Sequence, residues 1–163
     1  MNQGPDLIYC IQPVTLVIVA CAELSTRIRV LRGRTCMKLQ VVVADDNVEF
    51  LRKFISVLGT EFHVVGTAAD GKSALECIRR CRPDVVVLDL EMPGLNGLEI
   101  TRELMKHSPR PAIVICSVEN DLEIVEAAQK AGALGYVFKA RAARDLNVAV
   151  RSVARGESFV SKD

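Results

Sequence analysis

From residue 37 onward the sequence predicts an α/β fold, a parallel sheet doubly wound by helices. Five short runs rich in β-branched residues alternate with five stretches whose apolar positions recur at helical spacing. Two of the runs are continuously apolar, as strands covered on both faces must be. The chain has 163 residues, half of them hydrophobic and a quarter charged. That is enough for one packed domain with an appendage, and it excludes a disordered or collagen-like chain.

The first run, residues 39–44, holds Val41-Val42-Val43 and leads into Asp45-Asp46; Leu51, Phe54, Ile55 and Leu58 then recur with helical period. The second, residues 63–68, precedes Ala74, Leu75 and Ile78. The third, residues 84–89, contains Val85-Val86-Val87-Leu88 and ends at Asp89, with Leu98, Thr101 and Leu104 behind it. The fourth, residues 112–116, leads to Ser117, followed by Ile124, Val125, Ala128 and Ala131. The fifth, residues 135–139, ends at Lys139 before Leu146, Val150 and Val153. Such a series makes a flavodoxin-like (βα)5 domain with strand order 2-1-3-4-5, and ligands of such sheets bind at the carboxyl ends of the strands.

The domain is expected over residues 37–160, with a poorly ordered extension over 1–36 and a short end over 161–163. The extension carries an apolar run from Val14 to Ala22 and then Arg27, Arg29, Arg32 and Arg34. A secretory signal places its positive charge before the apolar run, so secretion is not expected. Gln12 and Pro13 leave the run short for a bilayer span, so a membrane anchor is not expected either. Six cysteines at irregular spacing (Cys10, Cys21, Cys36, Cys77, Cys81 and Cys116) do not read as a disulfide scaffold and suit a reducing, cytoplasmic location. Cys77 and Cys81 stand four apart on a helix, but no second Cys/His pair completes a zinc set, and ordinary thiols are expected. His63 and His107 read as structural or exposed. A net charge of +1 with 4% aromatics gives no electrostatic footprint for nucleic acid and few stacking platforms.

The strand ends carry the chemistry. Asp45, Asp46 and Asp89 gather three carboxylates on one rim, where they repel unless a cation neutralises them. Oxygen donors without Cys or His suit Mg2+. Lys139 and Ser117 add a fixed positive charge and a hydroxyl, which together could clamp a phosphoryl group in transfer. Asp89, ending the middle strand, is the carboxylate placed to act as nucleophile. Each residue alone has a structural explanation as a cap, a turn or a solvated end. Their occurrence at the ends of four different strands favours the functional one.

These motifs resemble the response-regulator receiver domains of two-component signalling. The residues that carry the resemblance are Val43-Ala44-Asp45-Asp46-Asn47, the stretch from Asp84 to Gly97 with Leu88-Asp89-Leu90-Glu91-Met92-Pro93-Gly94, then Ile115-Cys116-Ser117, and Ala131 to Lys139. The resemblance implies that Asp89 is the phosphoacceptor and that Asp45, Asp46, Asp89 and the backbone carbonyl of Glu91 hold Mg2+. It likewise assigns Ser117 to the hydroxyl that closes on the phosphoryl group, Lys139 to the site lysine, and Tyr136 to the aromatic switch, which would then turn inward. A histidine kinase or phosphotransfer protein is the implied donor. The output implied is a face of strands four and five with helices four and five, read by a partner or by dimerisation, in the regulation of transcription. Glu91 and Glu119, two residues past Asp89 and Ser117, would border the path of a hydrolysing water.

Ala140 follows Lys139 where many receivers have proline, so that peptide need not be cis. The tail from Ala143 to Ser161 looks like the NarL/FixJ-type subgroup that precedes a LuxR-type helix-turn-helix, yet only Lys162 and Asp163 follow. A receiver without its own DNA-binding element is therefore expected. Arg141, Arg144, Arg151 and Arg155 give the last helix a basic face, read as solvated or partner-docking. A Mg2+-dependent aspartyl-phosphate phosphatase is the rival enzyme reading, but Glu91 stands where such enzymes carry a second Asp, and no cap domain is present to form a pocket. A constitutive interaction module is the other rival, and the intact acid set with Lys139 argues against it. The expectation is thus a phosphoacceptor with self-dephosphorylation rather than a metabolic enzyme.

Overall fold

Side chains of successive strand residues point to opposite faces, so an all-valine run buries both faces at once. In the computed structural model, which describes residues 38–162, the runs Gln40–Ala44 (β1) and Val85–Asp89 (β3) do this and are almost wholly buried. The expectations for residues 1–36 and for Asp163 lie outside the described residues. The remaining strands are His63–Ala68 (β2), Ala112–Ser117 (β4), Gly135–Phe138 (β5) and Phe159–Val160 (β6). The helices are Val48–Leu58 (α1), Gly71–Cys81 (α2), Gly97–Met105 (α3), Leu122–Ala131 (α4) and Ala142–Ala154 (α5). The sheet runs β2-β1-β3-β4-β5-β6 with every pairing parallel. The expected order of the first five strands is present.

Alternation divides the core in two. Val42, Ala44, Val86, Leu88, Ile113, Ile115 and Tyr136 pack with buried residues of α2, α3 and α4. Val41, Val43, Val85, Val87, Val114, Cys116 and Val137 pack with Phe54 and Leu58 of α1 and with Leu146, Ala149, Val150 and Val153 of α5. Four helices start on side-chain caps: Asn47, Asp70, Asn96 and Asp121 each accept from backbone N–H groups of the first turn, and Asn96 forms a reciprocal capping box with Glu99. Asn47 and Asp70 start α1 and α2 within three residues of the ends of β1 and β2.

Three differences from the sequence expectations have physical reasons. Ile55, expected on the buried face of α1, is 38% exposed, because Phe54 and Leu58, flanked by Phe50, Leu51 and Val57, form the face of α1 that packs on β1 and β3. A sixth strand, too short to show a period, continues the sheet beyond β5; the Phe159 N–H donates to Leu134 O and the Ser161 N–H to Tyr136 O. The basic face of α5 is largely neutralised within the chain, with Arg151 on Glu61 at 2.6 Å, Arg155 on Glu157 at 2.8 Å and Arg144 on Asp145 at 2.8 Å. Both histidines are exposed, and His107 Nε2 lies 3.5 Å from Glu103.

Candidate functional site

β1 and β3 are neighbours in register, Ala44 opposite Leu88, so their ends deliver Asp45 and Asp89 side by side. Carboxylate oxygens of Asp45, Asp46 and Asp89 all lie within 4.8 Å of one another. Asp45 and Asp89 are buried and Asp46 is exposed, so the cluster opens to solvent on one side. From the end of β5, Lys139 reaches across β4: its Nζ stands 2.8 Å from Asp45 Oδ2 and 2.9 Å from Asp89 Oδ2. Beneath it, Phe50 of α1 offers a ring face, 4.4 Å from Nζ to the centroid. Phe50 was not singled out from sequence, since a helical phenylalanine reads as core.

Burial raises the Asp89 carboxyl above its ordinary range, the charge of Asp45 adds to the rise, and Lys139 and the Glu91 N–H oppose it. Burial alone would lower the Lys139 ammonium, but its contacts with Asp45 and Asp89 outweigh that and raise it. The lysine is therefore cationic, and its one ammonium contacts two of the three carboxylates, Asp45 and Asp89. Asp45 Oδ1 accepts from the Asn47 N–H at 2.9 Å. Asp45 Oδ2, by contrast, is buried without a hydrogen bond of proper angle, although Lys139 Nζ stands 2.8 Å away. A buried anionic oxygen with charge contact only, in a cluster of oxygen donors, fits a hard divalent cation such as Mg2+.

Ser117 ends β4, with Cys116 opposite Asp89 in register. Its hydroxyl is buried and accepts from the Glu119 N–H at 3.1 Å, closing a tight turn. Tyr136, expected to turn inward on switching, is already inward at 1% exposure, and its hydroxyl donates to Glu119 O at 3.0 Å. The loop after β4 is thereby held at Glu119 from two directions. That role of the Glu119 backbone carried no signal in the sequence. Glu91 is exposed just beyond β3. Gly97 lies against the same strand end, where a Cβ would come within 2.4 Å of Asp89 O. Among the described residues the one cis peptide is Ser108–Pro109, so Lys139–Ala140 is trans.

A family model described as the response regulator receiver domain matches residues 41–151. The transcriptional regulatory protein DegU of Brevibacillus brevis is 36% identical over 125 residues, 76% of this chain and 53% of that protein. The chain thus spans about half the length of that curated relative. Among solved structures, a LuxR-family two-component response regulator from Aurantimonas sp. superposes with a TM-score of 0.73 at 28% identity, over 77% of this chain and 91% of that one. The isolated REC domain of RcsB from Salmonella enterica, in the presence of the phosphomimetic BeF3−, superposes with a TM-score of 0.71 at 25% identity, over 77% and 94%. No helix among the described residues is long and apolar enough to cross a membrane. On its doubly wound sheet, its strand-end acids and lysine, and these matches, the chain belongs to the response regulator receiver domain family, whose members are signalling domains.

Proposed function

We propose that this chain is a phosphoryl-controlled switch of a cytoplasmic two-component pathway, with Asp89 as the phosphoacceptor. The observation that carries the reading is Lys139 Nζ set between Asp45 and Asp89, beside a buried carboxylate oxygen without a hydrogen bond. The donor is a phosphohistidine of a histidine kinase or phosphotransfer protein. An Asp89 oxygen bonds to phosphorus as the phosphorus–nitrogen bond breaks, and the departing imidazole keeps the electron pair and takes up a proton. Asp45, Asp46, Asp89 and the Glu91 backbone carbonyl hold Mg2+, which supplies charge neutralisation for the phosphoryl oxygens.

Lys139 keeps its ammonium and shifts its contact from Asp89 to a phosphoryl oxygen. Ser117 gives up the Glu119 N–H and donates its hydroxyl to another. Because Tyr136 rests on Glu119 O, loss of the Ser117 turn reaches the ring of Tyr136 directly. The face of β4, α4, β5 and α5 then meets a protein partner or a second copy, with Val118 and Leu122 exposed at 65% and 77% where that loop enters α4. Water returns the acyl phosphate to carboxylate, and Glu91 and Glu119 border its approach and set the lifetime.

Calorimetric titration with beryllofluoride tests this reading. One equivalent is expected to bind in Mg2+, none without Mg2+, and none to the Asp89→Asn chain. Equal binding by that variant contradicts it.

A further inference from the structure

The Lys139 ammonium is held from three sides, and acids account for two of them. Its Nζ lies 2.8 Å from Asp45 Oδ2 and 2.9 Å from Asp89 Oδ2, and among the described residues no other carboxylate pairs with it. The remaining contact is the ring of Phe50, whose centroid is 4.4 Å from Nζ. An ammonium carries three donors and no acceptor, so a third neighbour without a lone pair needs a physical reason. The negative face of an aromatic ring supplies it, since that face attracts a cation within about 6 Å of the centroid. The Lys139 side chain is only 6% exposed, and the attraction strengthens as water is excluded.

The ring is tied to the same acid as the ammonium. Asp45 Oδ1 accepts from the Asn47 N–H at 2.9 Å, and Asn47 Oδ1 in turn accepts from the Glu49 N–H at 2.9 Å and the Phe50 N–H at 3.4 Å. Asp45 thus fixes the cap of α1 through one oxygen and faces Lys139 through the other. The contacts close on themselves, from Lys139 to Asp45, to Asn47, to Phe50 and back to Lys139. One helical turn on, the buried ring of Phe54 backs that of Phe50, with centroids 5.9 Å apart and planes inclined by 30°. A leucine at this position would fill space without attracting the ammonium. A carboxylate would attract it but would compete with phosphoryl oxygens for its donors. A ring face attracts without competing.

We propose that Phe50 is a positioning residue for phosphoryl transfer, its ring face holding the Lys139 ammonium over the Asp45–Asp89 pair, where it meets the phosphoryl oxygens without reorganising. Charge placed in advance in this way stabilises the transferring group at no cost during the step itself. The proposal rests on the reading of Asp89 as phosphoacceptor and adds to it a group on α1 that acts only through the lysine.

The test replaces Phe50 in the full chain by phenylalanines bearing one, two and three ring fluorines, which keep the shape of the ring, make it more apolar and progressively drain its negative face. Phosphorylation by acetyl phosphate is timed at saturating Mg2+. The rate is expected to fall stepwise along the series, and by about tenfold in Phe50→Leu, thermal unfolding confirming that every variant is folded. A packing role predicts no loss along the series, because the fluorinated rings are the more apolar ones. A second readout needs no phosphoryl group: in the unphosphorylated chain the ε-methylene protons of Lys139 are expected upfield of their position in Phe50→Leu, as the ring current requires. Equal rates across the series in a chain that is phosphorylated, or equal proton shifts with and without the ring, overturn the role of Phe50 and leave Asp89 standing. A folded parent chain that takes up no phosphoryl group overturns the Asp89 reading itself, and the positioning role with it.

Discussion

Lys139 is the residue on which the strand-end cluster balances, because its single ammonium faces Asp45 and Asp89 from a buried position. Truncating it removes the one cation that touches both carboxylates and leaves buried like charges facing each other. Lys139→Ala is expected to retain some phosphorylation of Asp89, slowed by roughly 10²-fold, while the β4–α4 loop no longer responds. Amide shifts of Ser117 and Glu119, followed with and without phosphodonor, check this; an unchanged phosphorylation-dependent shift removes the coupling role from the lysine. At this scale the sequence was highly legible. Asp45, Asp46, Asp89 and Lys139 each end a β-branched run, and a parallel sheet brings such ends to one rim. Phe50 was not legible, since nothing in a helical spacing says which core ring will lie under an ammonium.

At the scale of elements, β5 is held on both edges. On one side Tyr136 donates to Glu119 O in the β4–α4 loop, and on the other the Ser161 N–H donates to Tyr136 O. Tyr136→Phe removes the first contact while keeping the ring in its buried place, so a stability loss of about 0.5–1.5 kcal/mol is expected. Faster amide exchange confined to residues 118–121 would confirm that this bond restrains the loop. The second edge depends on Asp145, which accepts from Ser161 Oγ at 2.8 Å and from Arg144 Nε at 2.8 Å.

Burial alone would raise the Asp145 carboxyl, but Arg144 and Ser161 outweigh it and hold it below its ordinary value of 3.8. A depressed acid stabilises the fold above its unfolded pKa and loses that contribution as pH falls through the folded one. Asp145→Asn is therefore expected to cost about 1–3 kcal/mol at pH 7, with the gap to the parent chain closing only below about pH 3.8. Urea unfolding at several pH values measures it. Neither contact was readable beforehand: β6 is two residues long, and the inward turn of Tyr136 depends on a register that only the assembled sheet defines.

Across the sheet, the strand order sets β1, β3, β4 and β5 side by side between β2 and β6 and lets one rim collect groups from all four. The fold was legible because two of its strands carry continuous apolar runs and its helices repeat apolar residues at helical spacing, signals that survive without tertiary context. The site was legible as a set of residues and not as a state. Sequence reasoning had Tyr136 turning inward only on switching, while packing against Ile115 and its neighbours already keeps it there.

The central claim, that this rim exists to load a phosphoryl group on Asp89, is tested most directly by incubating the chain with acetyl phosphate and Mg2+ and measuring its intact mass. The account predicts the gain of one phosphoryl group, absent without Mg2+ and absent in Asp89→Asn. A folded chain that gains no mass, or an Asp89→Asn chain that gains the same mass, would contradict it.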